Sequence, residues 1–197
     1  MKFFLFPFVS VPPLRDTIPL CGTFLIVLFT AGCLVSETTE YKIILNEDEK
    51  SGMIMTTSRN MQSDAADSAQ QERDFNELIS NWKSDKYLLD QMNKGLYVQE
   101  RKLSIEKGKL AWREKSLFSD ISKLFPDFNP NDTLRIPLKD TTGLTISTNG
   151  RIVTEKDSIV ILWSPHTKVF QLKTTTREFK PVSKFAERFR QYLKRQK

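Results

Sequence analysis

Tyr41-Lys42-Ile43-Ile44-Leu45-Asn46-Glu47-Asp48-Glu49-Lys50-Ser51-Gly52-Met53-Ile54-Met55-Thr56-Thr57 is the stretch on which the fold turns. Tyr41, Ile43 and Leu45 alternate with Lys42, Ile44 and Asn46, the period of two that puts successive side chains on opposite faces of a strand. Met53 to Thr57 is a second run of strand-forming residues. The acidic segment between them ends at Gly52, so the sequence predicts a β-hairpin, with Gly52 supplying the backbone angle that other residues avoid.

Downstream, a polar stretch from Arg59 to Ala66 is expected to lead into a helix. Phe75, Leu78, Ile79 and Trp82 recur at helical spacing, which reads as a core-facing stripe. Ser84 can cap a second helix, Asp85 to Met92, ending before Gly95. Leu96 to Glu106 and Lys109 to Ser116 then flank the turn Lys107-Gly108, with Leu103, Ile105, Leu110 and Trp112 as inward residues. Leu117 to Phe125 reads as a short amphipathic helix stopped by Pro126, and 127–132 as a loop.

The last third is rich in strands. Leu134, Ile136 and Leu138 alternate. Leu144 to Thr148 and Arg151 to Thr154 flank Asn149-Gly150, the strongest short hairpin signal in the chain. Ile159 to Trp163 is apolar enough for a central strand, and Lys168 to Lys173 follows the turn Ser164-Pro165-His166-Thr167. A closing helix is expected from Pro181 to Arg195, with Val182, Phe185, Phe189, Tyr192 and Leu193 on one arc turned toward the sheet. The expected fold class is α+β: an antiparallel β-sheet built from hairpins with helices packed on one face.

Upstream of the first hairpin the chain changes character. Ser36 to Glu40 reads as a polar tether. Thr17 to Ser36 carries no charge, Phe24 to Phe29 is its densest apolar part, and Lys2 and Arg15 precede it while Glu37 and Glu40 follow. That is the make-up of an export signal, with the rest of the chain on the far side of the membrane. The segment closes on Leu28-Phe29-Thr30-Ala31-Gly32-Cys33, where Ala31 and Gly32 offer a peptidase little bulk.

Thr30-Ala31-Gly32-Cys33 resembles the lipobox of bacterial lipoproteins, although Thr30 stands where that family usually has an aliphatic residue. The resemblance implies cleavage before Cys33 and a lipidated cysteine whose thiol carries a diacylglycerol, with fatty acids such as palmitate. It further implies a signal peptide over 1–32, a lipidated Cys33 with a short tether over 33–40, and a single domain over 41–197. Leu34 after the cysteine implies the outer membrane, since it is not the Asp that retains some lipoproteins at the inner one. The layout also resembles small cell-envelope lipoproteins of unassigned role. The competing expectation is an uncleaved single-pass anchor, because about 20 uncharged residues suffice to cross a bilayer.

Cysteine usage agrees with export. Of two cysteines in 197 residues, Cys21 lies within the leader, so Cys33 alone remains after cleavage and no internal disulfide is expected. Of the formal net charge of +6, the leader contributes one through Lys2, Arg15 and Asp16. The remaining excess favours an anionic lipid or polysaccharide surface, or another envelope protein, and is too modest to indicate nucleic acid.

Catalytic patterns are sparse. His166 is the only histidine and sits in a turn, there is no Gly-x-Ser-x-Gly elbow, and Gly108, Gly143 and Gly150 stand alone rather than in a phosphate loop. Asp127, Asn129 and Asn131 begin like a calcium loop, but Asp132 and Leu138 occupy the positions that need Gly and Glu. Asp67-Ser68-Ala69, Asp132-Thr133-Leu134, Asp140-Thr141-Thr142 and Asp157-Ser158-Ile159 look like the tripeptide that some bacteria O-glycosylate on export. The sequence therefore assigns no catalytic, metal or cofactor-binding residue. It is read as a lipid-anchored envelope protein that binds or scaffolds, with a hydrolase using convergent carboxylates as the alternative.

Overall fold

The computed structural model describes residues 34–126, 128–138, 141, 143–155, 158–180 and 183–196. The leader, Cys33, Asp127 and the first positions expected for the closing helix, Pro181 and Val182, lie outside that set. The fold is α+β with every strand pair antiparallel, as the alternating patterns predict.

The opening hairpin is β1 (Leu34–Leu45) and β2 (Gly52–Ser63), paired from Leu34 opposite Ser63 to Leu45 opposite Gly52. It is longer than its apolar alternation. Ser36 to Glu40, expected as a tether, and Arg59 to Ser63, expected as a linker, both belong to the ladder. Four of these residues, Ser36, Thr38, Thr39 and Ser63, are threonine or serine, and hydroxyls pair locally: Ser36 Oγ with Thr39 Oγ1 at 2.7 Å and Thr39 Oγ1 with Ser58 Oγ of β2 at 3.4 Å. β-Branched threonine also suits a strand. The turn differs from expectation too. Its left-handed residue is Glu49, at φ 55°, whereas Gly52 is required for space: a Cβ there would lie 2.2 Å from the Ile44 carbonyl oxygen and 2.8 Å from Phe118 Cζ.

Next come α1 (Ser68–Lys83), α2 (Asp85–Asn93), β3 (Leu96–Glu106) and β4 (Lys109–Phe118). Asp67 caps α1 by accepting from the Ala69 and Gln70 amides, and Ser84 caps α2 by accepting from Lys86. Side-chain acceptors at these positions satisfy amides that the first helical turn leaves unpaired. β3 and β4 turn at Lys107 and Gly108, both at positive φ (49° and 80°), the backbone that a two-residue hairpin needs. The expected helix from Leu117 to Phe125 does not form. Leu117 and Phe118 finish β4, pairing with Tyr97 and Leu96, and only a single 3-10 turn over Ile121–Lys123 follows.

The remaining elements are β5 (Leu134–Leu138), β6 (Leu144–Thr148), β7 (Arg151–Glu155), β8 (Ser158–Trp163), β9 (Val169–Thr176) and α3 (Phe185–Arg195). They divide between two sheets. One has six strands in the order β3-β4-β2-β1-β9-β6, the other three in the order β5-β8-β7. β8 is central, as its apolar run predicts, but in the smaller sheet.

Asn149-Gly150 is not a hairpin turn. β6 pairs with β9 and β7 with β8, so the dipeptide is the corner at which the chain leaves one sheet for the other. The Asn149 side chain holds that corner, donating to the Val169 carbonyl and accepting from the Gln171 amide and the Trp163 indole. Gly150 fits because a Cβ would meet Ile161 Cγ2 and the Leu162 carbonyl at 2.8 Å. Short-range turn chemistry gives way here to contacts between sheets.

Alternation along the strands gives the large sheet two unlike faces. Phe118, Ser116, Glu114, Trp112 and Leu110 of β4 are buried, whereas Leu117, Lys115 and Arg113 are exposed. The small sheet packs over one end of the buried face, where Ile43, Ile54, Phe118, Phe170, Ile136, Ile161 and Trp163 form one core. The helices cover the other end, where Phe75, Leu78, Phe185 and Phe189 meet Met61, Leu103, Leu110 and Trp112 in a second. α3 starts at Phe185 rather than Pro181. Ser183 stays out of the helix because its N–H donates to Gln62 Oε1 and its hydroxyl accepts from the Ser63 amide. Phe185 and Phe189 pack inward as expected, while Leu193 is 41% exposed. Among the described residues the two cores draw on both sheets and all three helices, from Leu34 to Tyr192.

Candidate interaction face

The one site residue that the sequence assigns, Cys33, is outside the described residues, and β1 begins at its neighbour Leu34. His166 lies in the turn before β9 at φ 60°, with its side chain 62% exposed and Nδ1 3.5 Å from Glu49 Oε1. Lys168 also reaches that oxygen, at 2.7 Å. Among the described residues no serine partners the ring. Of the calcium-like loop, Asn129 accepts from its own Asn131 amide and Asp132 from the Thr133 amide. Among the described residues no cluster of three metal-ligating side chains occurs.

Two carboxylates are withdrawn from water, Asp74 and Glu114, at 1% and 8% exposure, and they belong to separate networks. Asp74 of α1 accepts from Ser63 Oγ at 2.5 Å and from Gln70 Nε2 at 2.6 Å. With Ser183 this ties the end of β2 to α1 and to the entry of α3. Ser63 and the turn carrying His166 and Glu49 are at opposite ends of β2, about 35 Å apart at ~3.3 Å per residue, so the histidine cannot act on that serine.

Glu114 of β4 lies between the two cores beside Thr56 and Ser58 of β2, in a polar band on the buried face. Tyr87 of α2 donates to its Oε2 at 2.6 Å and Ser116 to its Oε1 at 3.2 Å. Burial raises the Glu114 pKa above the ordinary value, and the Tyr87 and Ser116 donors with the Arg101 and Lys94 charges offset this only in part. Burial, then the adjacent carboxylate, also pushes the Tyr87 phenol upward. Arg101 donates to the carbonyls of Asn81 and Ser84 and stacks over the Tyr87 ring at 5.6 Å. These bonds fasten the α1–α2 elbow onto the sheet. Both oxygens of Glu114 are engaged by protein donors, which suits a structural pin better than a general acid.

Among the described residues the other face of the six-stranded sheet carries neither helices nor the second sheet. It is strongly charged. Glu40 bonds Arg59 at 2.9 Å and Lys173 at 3.2 Å, and Glu106 bonds Arg113 at 2.7 Å. Partial burial works against ionising Glu40, but Arg59 and Lys173 prevail and lower its pKa. Lys42, Lys102 and Lys115 form no salt bridge among the described residues. Lys102 lies opposite Arg113 in the ladder, a like-charge pairing of the kind that costs stability, with Arg113 turned to Glu106. Sequence alternation placed these lysines on one side of their strands; only the strand order puts them on one surface.

A shallow groove of about 460 Å³ lies on the small sheet. Its walls include Thr133, Arg151, Ser164 and Thr167 and hold no carboxylate. No convergent acidic pair of the kind a glycosidase needs is found there.

No family description, no curated protein and no solved structure matches this chain. Among the described residues no helix is long and apolar enough to cross a membrane.

Proposed function

We propose that the protein is a lipid-anchored, non-catalytic binding or scaffolding protein of a bacterial cell envelope, attached through Cys33 and held at the outer membrane. The observation that carries this reading is the adjacency of two features. The lipobox-like run Thr30 to Cys33 is followed at once by a described strand from Leu34, and that strand lies in a sheet whose uncovered face bears more basic than acidic side chains, its Glu40 and Glu106 held in ion pairs with Arg59, Lys173 and Arg113. The buried carboxylates Asp74 and Glu114 serve packing, which argues against the hydrolase alternative.

Labelling expressing cells with an alkyne fatty acid tests the anchor. The mature protein takes up the label, gains the mass of a diacylglycerol and acyl group, and loses both on Cys33→Ser. A Cys33→Ser variant that stays membrane-held with unchanged mass would mean an uncleaved span instead.

A further inference from the structure

The uncovered sheet face carries a pattern beyond its charge. Tyr97, Leu117, Met53, Ile44 and Val169 are successive cross-strand partners on β3, β4, β2, β1 and β9, so they form one apolar row across five strands, about 19 Å wide at ~4.8 Å per strand. Tyr97 and Leu117 are 45% and 41% exposed. Two residues closer to Leu34 on each strand, past the irregularity in β3, the next row is Glu100, Lys115, Met55, Lys42 and Gln171, in which neither lysine forms a salt bridge among the described residues. Beyond it lie Lys102, Arg113, Thr57, Glu40 and Lys173, so each of the two rows carries more cations than carboxylates.

We infer that this face lies against an anionic phospholipid surface, with the apolar row entering the headgroup region and the lysine rows meeting lipid phosphates. The proposal deepens the binding role put forward above, and its orientation rests on the anchor at Cys33. Aliphatic side chains beside flexible cations match an interface that is apolar within and anionic at its rim. A polysaccharide would find few groups along Leu117, Met53, Ile44 and Val169 to bond. A second copy of the chain would set one basic face against another. The acidic turn bounds the contact beyond the row: Glu49 is drawn toward Lys168 and His166, whereas Asp48, whose carboxylate the Lys50 and Ser51 amides stabilise, and Glu47 are exposed. Leu34 and Ile44 are ten residues apart on β1, about 33 Å, so acyl chain and apolar row would touch the membrane at the two ends of one strand.

The test uses residues 34–197, which contain both cores, and vesicles of phosphatidylcholine with or without an equal amount of phosphatidylglycerol. Expected is sedimentation with the anionic vesicles alone, weakening as salt is raised. The double variant Lys42→Glu/Lys115→Glu should bind at least tenfold more weakly with an unchanged circular dichroism spectrum. Tyr97→Trp should shift its added fluorescence to shorter wavelength only with anionic vesicles. Absence of binding by the parent, equal binding to neutral vesicles, or undiminished binding by the charge-reversed variant would overturn the proposal. Because this protein lacks Cys33, those results leave the acylation reading standing, and loss of acylation leaves them untouched.

Discussion

Trp163 Nε1 donates to Asn149 Oδ1 at 2.8 Å, and the same oxygen accepts from the Gln171 amide at 2.8 Å. One side chain thereby joins the central strand of the small sheet to β9 of the large one. Asn149 is a splice between sheets.

At a hairpin turn Asp would replace Asn with little loss. At this splice it cannot, because Asn149 Nδ2 also donates to the Val169 carbonyl and a carboxylate would face that oxygen without a proton. Because Asn149 is exposed and water can reach the Val169 carbonyl, Asn149→Asp is expected to cost about 1 kcal/mol, the value of an ordinary hydrogen bond. Urea denaturation followed by Trp163 fluorescence measures it, and a change within error would return the dipeptide to ordinary turn chemistry.

Much of the fold can be read in the sequence where a local pattern and its tertiary setting agree. The period-two runs around Ile43 and Ile54, the Ser84 cap, the Lys107-Gly108 turn and the Phe75-Leu78 stripe all appear as expected. The misreadings share one cause: the deciding contact is distant in sequence. Arg59 to Ser63 look like a linker until β1 lies beside them, Leu117-Phe118 look helical until Tyr97 and Leu96 arrive, and Ser183 leaves the helix for Gln62 and Ser63. The candidate face is legible in alternation but not in extent, because nothing in Lys42, Lys102 or Lys115 announces that β1, β4 and β3 will share a sheet.

Glu114 makes stability depend on pH, with a sign set by its raised pKa. The unfolded chain releases this proton near the ordinary Glu value of 4.5, while the folded protein holds it to higher pH. Stability is therefore greatest below that window and falls as pH rises through it. Glu114→Gln leaves Tyr87 an acceptor and has no proton to lose. Its denaturation midpoints should vary less between pH 4.5 and neutrality, and the parent's slope persisting in the variant would place the titration elsewhere.

Gln91 of α2 is 3% exposed and its Oε1 has no partner among the described residues. Replacing a buried, unsatisfied amide by an apolar side chain of similar length removes a desolvation cost of about 1 kcal/mol. Gln91→Met should raise the melting temperature by a few degrees in a thermal scan. A fall would show that the oxygen is bonded in solution.

Gly52 leaves no room for a methyl group between the Ile44 carbonyl and the Phe118 ring. Gly52→Ala is expected to destabilise the protein by about 3 kcal/mol, the upper range for overpacking a core. Hydrogen exchange should locate the loss in β1, β2 and β4. Glu49→Gly, at the residue with φ 55°, should instead change stability little, since the left-handed backbone it relieves is offset by its lost bond to Lys168.

β1 pairs with β2 from Leu34 onward and with β9 from Thr38 to Ile44. Drawn along its own axis from Leu34, β1 therefore loads the hydrogen bonds of two ladders together, in shear rather than one after another. Under the attachment proposed at Cys33, a mechanical load would reach the sheet through the strand best placed to resist it.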